Sequence, residues 1–416
     1  MGRVDAAEVF YREWDARAPG ASRSLPRARA LAEVLGVLAP GVPVLTVVGS
    51  KGKGTAATYA SAFLAAAGLR VCTVTSPGLR DDRDRIRVGG RAVSGAELAS
   101  LGERLGRAAA ALPPGNGMGG YLSPAGLFTL AGVLHARDAA ADVIVLEAGM
   151  GGRSDEVSLF PPEIAAITPV FREHVGVLGE TAAEIALEKL GVAGPATRAV
   201  LSAPQSAEVA EALAGRVEYV GPGGAEVPPD LLPAGLGRVS AELGIAAARR
   251  LAAPHAGEPS AERLHAVLAT VTLPGRLSWH AVPGTATTLL ADSAIDRTGV
   301  AAALAAARDR WGTIDRAVVC LPDHKDLDGA VAELGDVPVT FVRLPLPHLR
   351  FTRALPPGWD VVGLDAVTPA SLGTLGHHLV VLGTVYFVGH VLGVVGADTR
   401  RLFNAEASPR PGGPGA

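Results

Sequence analysis

The sequence predicts an α/β protein in two parts. A P-loop-type, doubly wound and mostly parallel sheet domain spans residues 1–273, a smaller Rossmann-like α/β domain spans 274–405, and a disordered tail covers 406–416. Three observations lead there. A glycine-rich loop, Gly49-Ser50-Lys51-Gly52-Lys53-Gly54-Thr55, joins a β-branched run to an alanine-rich one. Apolar runs of strand length alternate with longer helical runs down the chain, the pattern of parallel strands joined by crossover helices. Leu273-Pro274-Gly275-Arg276 then breaks the pattern, and a second alternation starts behind it. At 416 residues the chain exceeds one ordinary core, which also argues for two domains.

Taken in order, Pro26 to Leu38 carries apolar residues at helical spacing until Pro40-Gly41 breaks it. Val44 to Val48 reads as a buried strand, and Ala56 to Ala67 as a helix stopped by Gly68. The loop between them is a phosphate cradle. Glycines let backbone N–H groups approach an anion, the helix N-terminus adds partial positive charge, and Lys53 adds a mobile full charge. The spacing is not the standard one: two residues separate Gly49 from Gly52, and Thr55 comes one place late. Val71 to Val74 is a second strand, ending in Thr75-Ser76-Pro77. Asp81 to Arg87, DDRDRIR, reads on its own as a solvated loop.

Helices are expected over Ala96–Leu112 and Pro124–Ala136, with a flexible Gly/Pro loop over Pro113–Gly120 between them. Strands Val143–Leu146 and Ile164–Ile167 follow, then His174 and the helix Ala182–Leu190. Lys53, Ser76, Glu147 and His174 all lie at or soon after strand ends. The carboxyl edge of a parallel sheet is where ligands bind. Helices Ala241–Leu251 and Ala261–Leu268 close the first part. Strands Thr288–Ala291, Ala317–Leu321, Val339–Val342 and Leu379–Leu382 build the second, with helices at Val300–Trp311 and from Phe387 onward.

Net charge is −3, so no basic field argues for nucleic acid. Cys72 and Cys320 sit in apolar strand-like runs and read as buried thiols of a reducing cytoplasm, not as a disulfide. Leu379 to Ala397 is nearly all apolar and long enough to span a membrane, but four glycines interrupt it, and a strand-to-helix turn at Gly383-Thr384 is the preferred reading. A cytoplasmic monomer acting on small molecules, with no nucleic-acid or membrane partner, is the expectation.

Four ordered blocks resemble the folylpolyglutamate synthase and dihydrofolate synthase family, within the wider Mur ligases. The family's GTNGKGS is GSKGKGT here. Its TSPHL…ERIRVNG is similar to Thr75-Ser76-Pro77-Gly78-Leu79 and Asp84-Arg85-Ile86-Arg87-Val88-Gly89-Gly90. Its LEVGLGGRLDATN resembles Leu146-Glu147-Ala148-Gly149-Met150-Gly151-Gly152-Arg153-Ser154-Asp155. Its DH and EIA.EKAGI segments resemble Glu173-His174 and Glu184-Ile185-Ala186-Leu187-Glu188-Lys189-Leu190-Gly191-Val192. Such enzymes phosphorylate a carboxylate with ATP and let an amine attack the acyl phosphate.

The resemblance implies catalytic roles for Lys53, Glu147, His174 and Lys189. It implies nucleotide binding by Gly49, Ser50, Lys51, Gly52, Lys53, Gly54, Thr55, Arg276 and Asp292. It further implies two Mg²⁺ ions held through Ser76, Glu147 and His174, and a carbamylated Lys189; on the residues alone, Lys189 is a surface lysine on a helix. Elsewhere the motifs depart. Gly78 replaces a histidine, Ala125-Gly126 a Phe-Glu pair, Ile295-Asp296-Arg297 a His-Asn-Pro, and the glutamine and adenine-side asparagine near Ser240 are lost. Arg238 or Arg297 is expected to compensate. The main expectation is therefore an ATP-dependent amide ligase on a non-folate substrate of specialised metabolism. The alternatives are a folylpolyglutamate or dihydrofolate synthase of the folate pathway, and a degenerate nucleotide-binding interaction protein.

Overall fold

The structure is a computed structural model that describes residues 8–112, 119–346 and 349–407. Most of the loop expected over Pro113–Gly120, and residues 408–416 of the expected tail, lie outside the described residues.

The first part runs α1 (Glu8–Asp15), α2 (Leu25–Leu35), β1 (Val44–Val48), α3 (Lys53–Ala66), β2 (Val71–Val74), β3 (Ile86–Val88), β4 (Arg91–Ala92), α4 (Gly95–Ala110), α5 (Pro124–Asp138), β5 (Val143–Glu147), β6 (Ile164–Ile167), α6 (Ala182–Leu190), β7 (Ala199–Ser202), α7 (Ala207–Ala212), β8 (Glu218–Tyr219), α8 (Gly237–Ala252) and α9 (Ala261–Leu268). Its eight strands lie in the order β4-β3-β2-β5-β1-β6-β7-β8, parallel except for the β2-β3-β4 hairpins. β1 sits centrally, and all five of its residues are buried. Alternation along it sends Val44 and Val48 into one core and Leu45 and Val47 into the other.

The second part runs β9 (Ser278–Ala281), β10 (Thr288–Asp292), α10 (Arg297–Trp311), β11 (Arg316–Cys320), α11 (Leu327–Leu334), β12 (Val339–Arg343), β13 (Asp360–Gly363), α12 (Pro369–Thr374), β14 (His378–Gly383) and α13 (Val385–Val394). The six strands lie in the order β13-β12-β11-β14-β10-β9, with only β9 antiparallel among the described pairings. We propose the domain boundary at 273/274. The chain then returns: Ala92 N–H donates to Arg400 O, Leu402 N–H to Gly90 O, and Phe403 is buried in the first domain's core.

Two readings change. The DDRDRIR run is not a solvated loop. Asp82–Arg85 is a 3₁₀ turn, and pairing of Val74 with Ile86 draws the charges inward, so Asp84, Arg85 and Arg87 are buried. Arg87 pairs with Asp84 at 3.1 Å, and Arg80 N–H caps the same carboxylate at 2.9 Å. Leu379–Ala397 divides into β14 and α13, and among the described residues no helix is long and apolar enough to cross a membrane. Cys72 and Cys320 are buried and free.

Candidate active site between the two sheets

The loop after β1 is shaped by close approach. Gly49 has φ +140°, and a Cβ there would lie 1.9 Å from Thr168 Oγ1. Gly52 has φ +87°, and a Cβ there would lie 2.0 Å from Ser240 Oγ. Only glycine fits either place. Gly52 caps α3 with no side chain, so the helix starts at Lys53 with its first N–H groups uncovered, as an anion site requires. Lys53 Nζ rests on Gly49 O at 3.0 Å. Ser50 Oγ ties the loop to the backbone of Phe171 through two 3.2 Å hydrogen bonds. Thr55 is buried in the first turn of α3.

Beside this helix start stands Glu147, the last residue of β5, in register with Val47 of β1. It is buried, and a Cβ on Gly54 would lie 3.5 Å from its Oε2, so the missing side chain leaves the carboxylate facing the loop. Ser76 N–H donates to Oε2 at 3.1 Å, and among the described residues no ion pair compensates the charge. Burial accordingly pushes this carboxyl above its ordinary value, against the pull of Lys53. Ser76 Oγ accepts from Arg85 Nη1 at 3.4 Å.

Lys189 is not a surface lysine: it is 1% exposed and donates to Glu173 Oε1 at 2.8 Å and Gly49 O at 2.9 Å. His174 takes a left-handed backbone, φ +47°. Its side chain is exposed by area, yet crowding desolvates the imidazole enough to push it below its usual value, against Glu173 and aided by Lys325 and Lys189. Glu147 with Ser76, and Glu173 with His174, form two separate pairs. Among the described residues no cluster of three or more His, Cys, Asp or Glu is placed to hold a metal ion.

The second domain supplies the opposite wall. Lys51 Nζ pairs with Asp296 at 3.0 Å, and Asp296 also caps α10 through Gly299 N–H at 2.8 Å. Asp292 ends β10 and accepts from Leu277 N–H at 2.8 Å. Burial pushes it up, while Arg276 and Lys51 pull it down. Lys51, Thr55, Arg276 and Asp292 line one cavity of about 660 Å³ between the two sheets.

No protein-family profile matches the chain. The dihydrofolate synthase/folylpolyglutamate synthase of Mycobacterium tuberculosis is 32% identical over 197 residues, 45% of this chain and 39% of that protein. That of Escherichia coli is 32% identical over 182 residues, 44% and 41%. A probable bifunctional folylpolyglutamate synthase/dihydropteroate synthase of Halobacterium salinarum is 39% identical over 158 residues, 37% and 18%. The chain thus matches less than half the length of each relative. The Mycobacterium tuberculosis folylpolyglutamate synthase, solved with ADP and AMPPCP, superposes over 95% of this chain and 100% of that one, with TM-score 0.75 and 23% identity. The Escherichia coli protein solved with DHPP and ADP gives TM-score 0.71 at 22% identity, over 95% and 98%. The chain is similar to folylpolyglutamate and dihydrofolate synthases, in sequence over less than half of its length and in fold over nearly all of it.

Several departures from that family's motifs now have physical reasons. A Cβ on Gly78 would lie 2.5 Å from Asp81 O, so the local turn admits no side chain. A Cβ on Gly126 would lie 2.3 Å from Glu156 Cδ: the carboxyl group absent from the start of α5 is replaced in space by Glu156. Sequence reading missed Glu156, although it stands where the family motif LDATN has alanine. It is 1% exposed and accepts from Ser123 Oγ at 2.7 Å; among the described residues its Oε2 has no hydrogen bond, with Arg23 Nη1 3.6 Å away. Burial, then Asp155, push it up to about 7. The two arginines named as able to compensate have partners within the chain. Arg238 donates to Pro229 O, and Arg297 pairs with Glu333 at 2.6 Å. Ile295 packs against the core beside α10.

Proposed function

We propose that this chain is an ATP-dependent, ADP-forming ligase that joins a folate-type carboxylate to glutamate. The observation that carries the reading is the open head of α3 with Lys53. It faces buried Glu147 on one side and, across one cavity, Arg276 and Asp292 of the other domain. Solved structures of this fold hold ADP, or Mn with AMPPNP and L-glutamate, which supports a nucleotide and a divalent metal here. The main expectation of a non-folate acid finds no support among the sequence relatives, whose names are folate-ligase names. One of its grounds also weakens, since Glu156 restores a carboxyl group beside Gly126. Both walls of the cavity come from one chain, so the acting unit is taken to be a monomer, and two free buried thiols suit the cytoplasm.

In this reading the loop N–H groups and Lys53 hold the phosphates and take up charge as it moves toward the bridging oxygen, with Arg276 adding a cation from the second domain. Glu147 and Ser76 fit Mg²⁺, because a buried carboxylate without an ion pair and a hydroxyl beside it form an oxygen donor set. His174, held neutral, with Glu173 would take a second ion. Such ions supply neutralisation of phosphate charge. ADP release in the presence of dihydropteroate or a reduced folate plus glutamate, with mass analysis of the product, tests the proposal. Amide formation with either pair is expected. Nucleotide binding without turnover on both pairs would return the substrate to the non-folate reading.

A further inference from the structure

The cavity between the domains is lined by a few charged and hydroxyl side chains and by a longer apolar stretch of wall. Its polar side chains belong to the phosphate loop, the start of α3, the Arg276–Asp292 region and the first turn of α10, together with Ser240, which packs on Gly52. The remaining wall is Pro204, Pro233, Ala234, Leu236, Val239 and Leu273, with neighbours of the same kind. With phosphates at the loop and the start of α3, this wall is what the cavity offers a purine, and none of these apolar side chains carries a hydrogen-bond donor or acceptor.

Two polar side chains that flank this wall in sequence are committed elsewhere. Gln205 follows Pro204, but its Oε1 accepts from Val170 N–H at 2.9 Å and its Nε2 donates to Thr168 O at 3.2 Å and Ser202 Oγ at 3.1 Å. Arg238 lies between the lining residues Gly237 and Val239 and turns to Pro229 O. Prolines 204 and 233 lack an N–H, which removes backbone donors as well. What is left to meet a base edge is the peptide backbone around Ala234–Gly237. It offers donors and acceptors alike and so suits either purine pattern.

We propose that this chain selects its nucleotide by phosphates and ring shape and not by the hydrogen bonds of the base, so that guanine and hypoxanthine nucleotides serve beside adenine ones. The proposal rests on the nucleotide-dependent reading above and refines it. A pocket built to hydrogen-bond one partner rejects the wrong one by about 10⁴-fold or more, whereas an apolar pocket discriminates by roughly 10²-fold at most.

The test is calorimetric titration of the full chain with Mg-ADP and Mg-GDP, followed by turnover with ATP and GTP. The expected result is dissociation constants within about tenfold and GTP-supported turnover, with any ratio below roughly 10² in agreement. Tight ADP binding with GDP weaker by more than that overturns the inference and leaves the ligase reading standing. Binding of neither overturns both. Leu236→Ala truncates a residue that is 48% exposed, and so spares the fold. It is expected to weaken ADP and GDP by the same factor, and a loss confined to ADP overturns the inference.

Discussion

Lys189 and Glu173 meet at 2.8 Å behind the phosphate loop, and the same ammonium donates to the Gly49 carbonyl at 2.9 Å. The pair thereby pins the backbone where the loop leaves β1. It also bears on the carbamate that the family resemblance implies. Carbamylation needs a neutral amine. Burial pushes Lys189 toward that state, while Glu173 opposes it. An added carboxylate would bring two anions together. With Glu173 in contact, the metal-free chain is expected to show no label at Lys189 after incubation in ¹³C-bicarbonate, by mass analysis of the peptide. Glu173→Gln, which removes the opposing charge, is expected to gain it. A labelled Lys189 in the parent chain would show that the pair does not protect it.

Among the described residues Lys53 Nζ makes one hydrogen bond, to Gly49 O at 3.0 Å. Lys53→Ala should therefore leave the thermal midpoint nearly unchanged and lower ATP turnover by about 10²–10³-fold or more, the effect of removing one group aimed at developing charge. Circular dichroism melting and ADP release measure the two halves. Turnover within tenfold of the parent would remove Lys53 from the reaction.

Much of this site was legible in the chain because its parts are local. The cradle is one contiguous stretch, and β1, β2, β6, α6 and α9 fall where apolar periodicity puts them. What was hidden is non-local. Glu156 meets Gly126 and Arg23 only through the packing of distant segments, and the burial of Asp84 and Arg87 follows from a hairpin that a charge-rich string does not announce. Lys51 was expected to bind phosphate, but its partnership with Asp296 was not legible, because that contact spans 245 positions and two domains. The return of Phe403 to the first core was invisible for the same reason.

The Lys51–Asp296 pair joins the two walls of the cavity between the sheets, each side chain about a third exposed. Such a pair is worth little to overall stability. It can still fix how the second domain meets the loop. Lys51→Ala and Asp296→Ala are each expected to raise the Michaelis constant for ATP several-fold with little change in the melting temperature. A double-mutant cycle is expected to show coupling of about 0.5–3 kcal/mol, as for residues in contact. The Asp296 arm carries a second effect, loss of the α10 cap, costing about 1 kcal/mol of stability. Asp296→Asn keeps a capping side chain and isolates the charge. Strictly additive effects on the ATP constant would show that the pair does not act as a unit.

Glu156 gives a pH signature. Its carboxyl is pushed up to about 7 by burial and by Asp155, from an ordinary value of 4.5. Between those values the folded chain keeps the proton and the unfolded chain has lost it. The stabilisation is therefore complete below about pH 4.5 and lost as pH rises through 7. Above that, the folded state holds an ionised carboxylate whose Oε2 lacks a hydrogen bond, with Arg23 at 3.6 Å as the compensating cation. Glu156→Gln keeps the shape and can still accept from Ser123 Oγ, but cannot ionise. Denaturant melts from pH 4 to 8 should show the parent losing stability relative to the variant across this window, by on the order of a few kcal/mol. The same substitution leaves the cradle untouched, so ADP affinity should hold while the constant for the acid substrate changes. A parent and variant with parallel stability profiles would mean that Arg23 compensates Glu156 fully and that its carboxylate is ionised throughout.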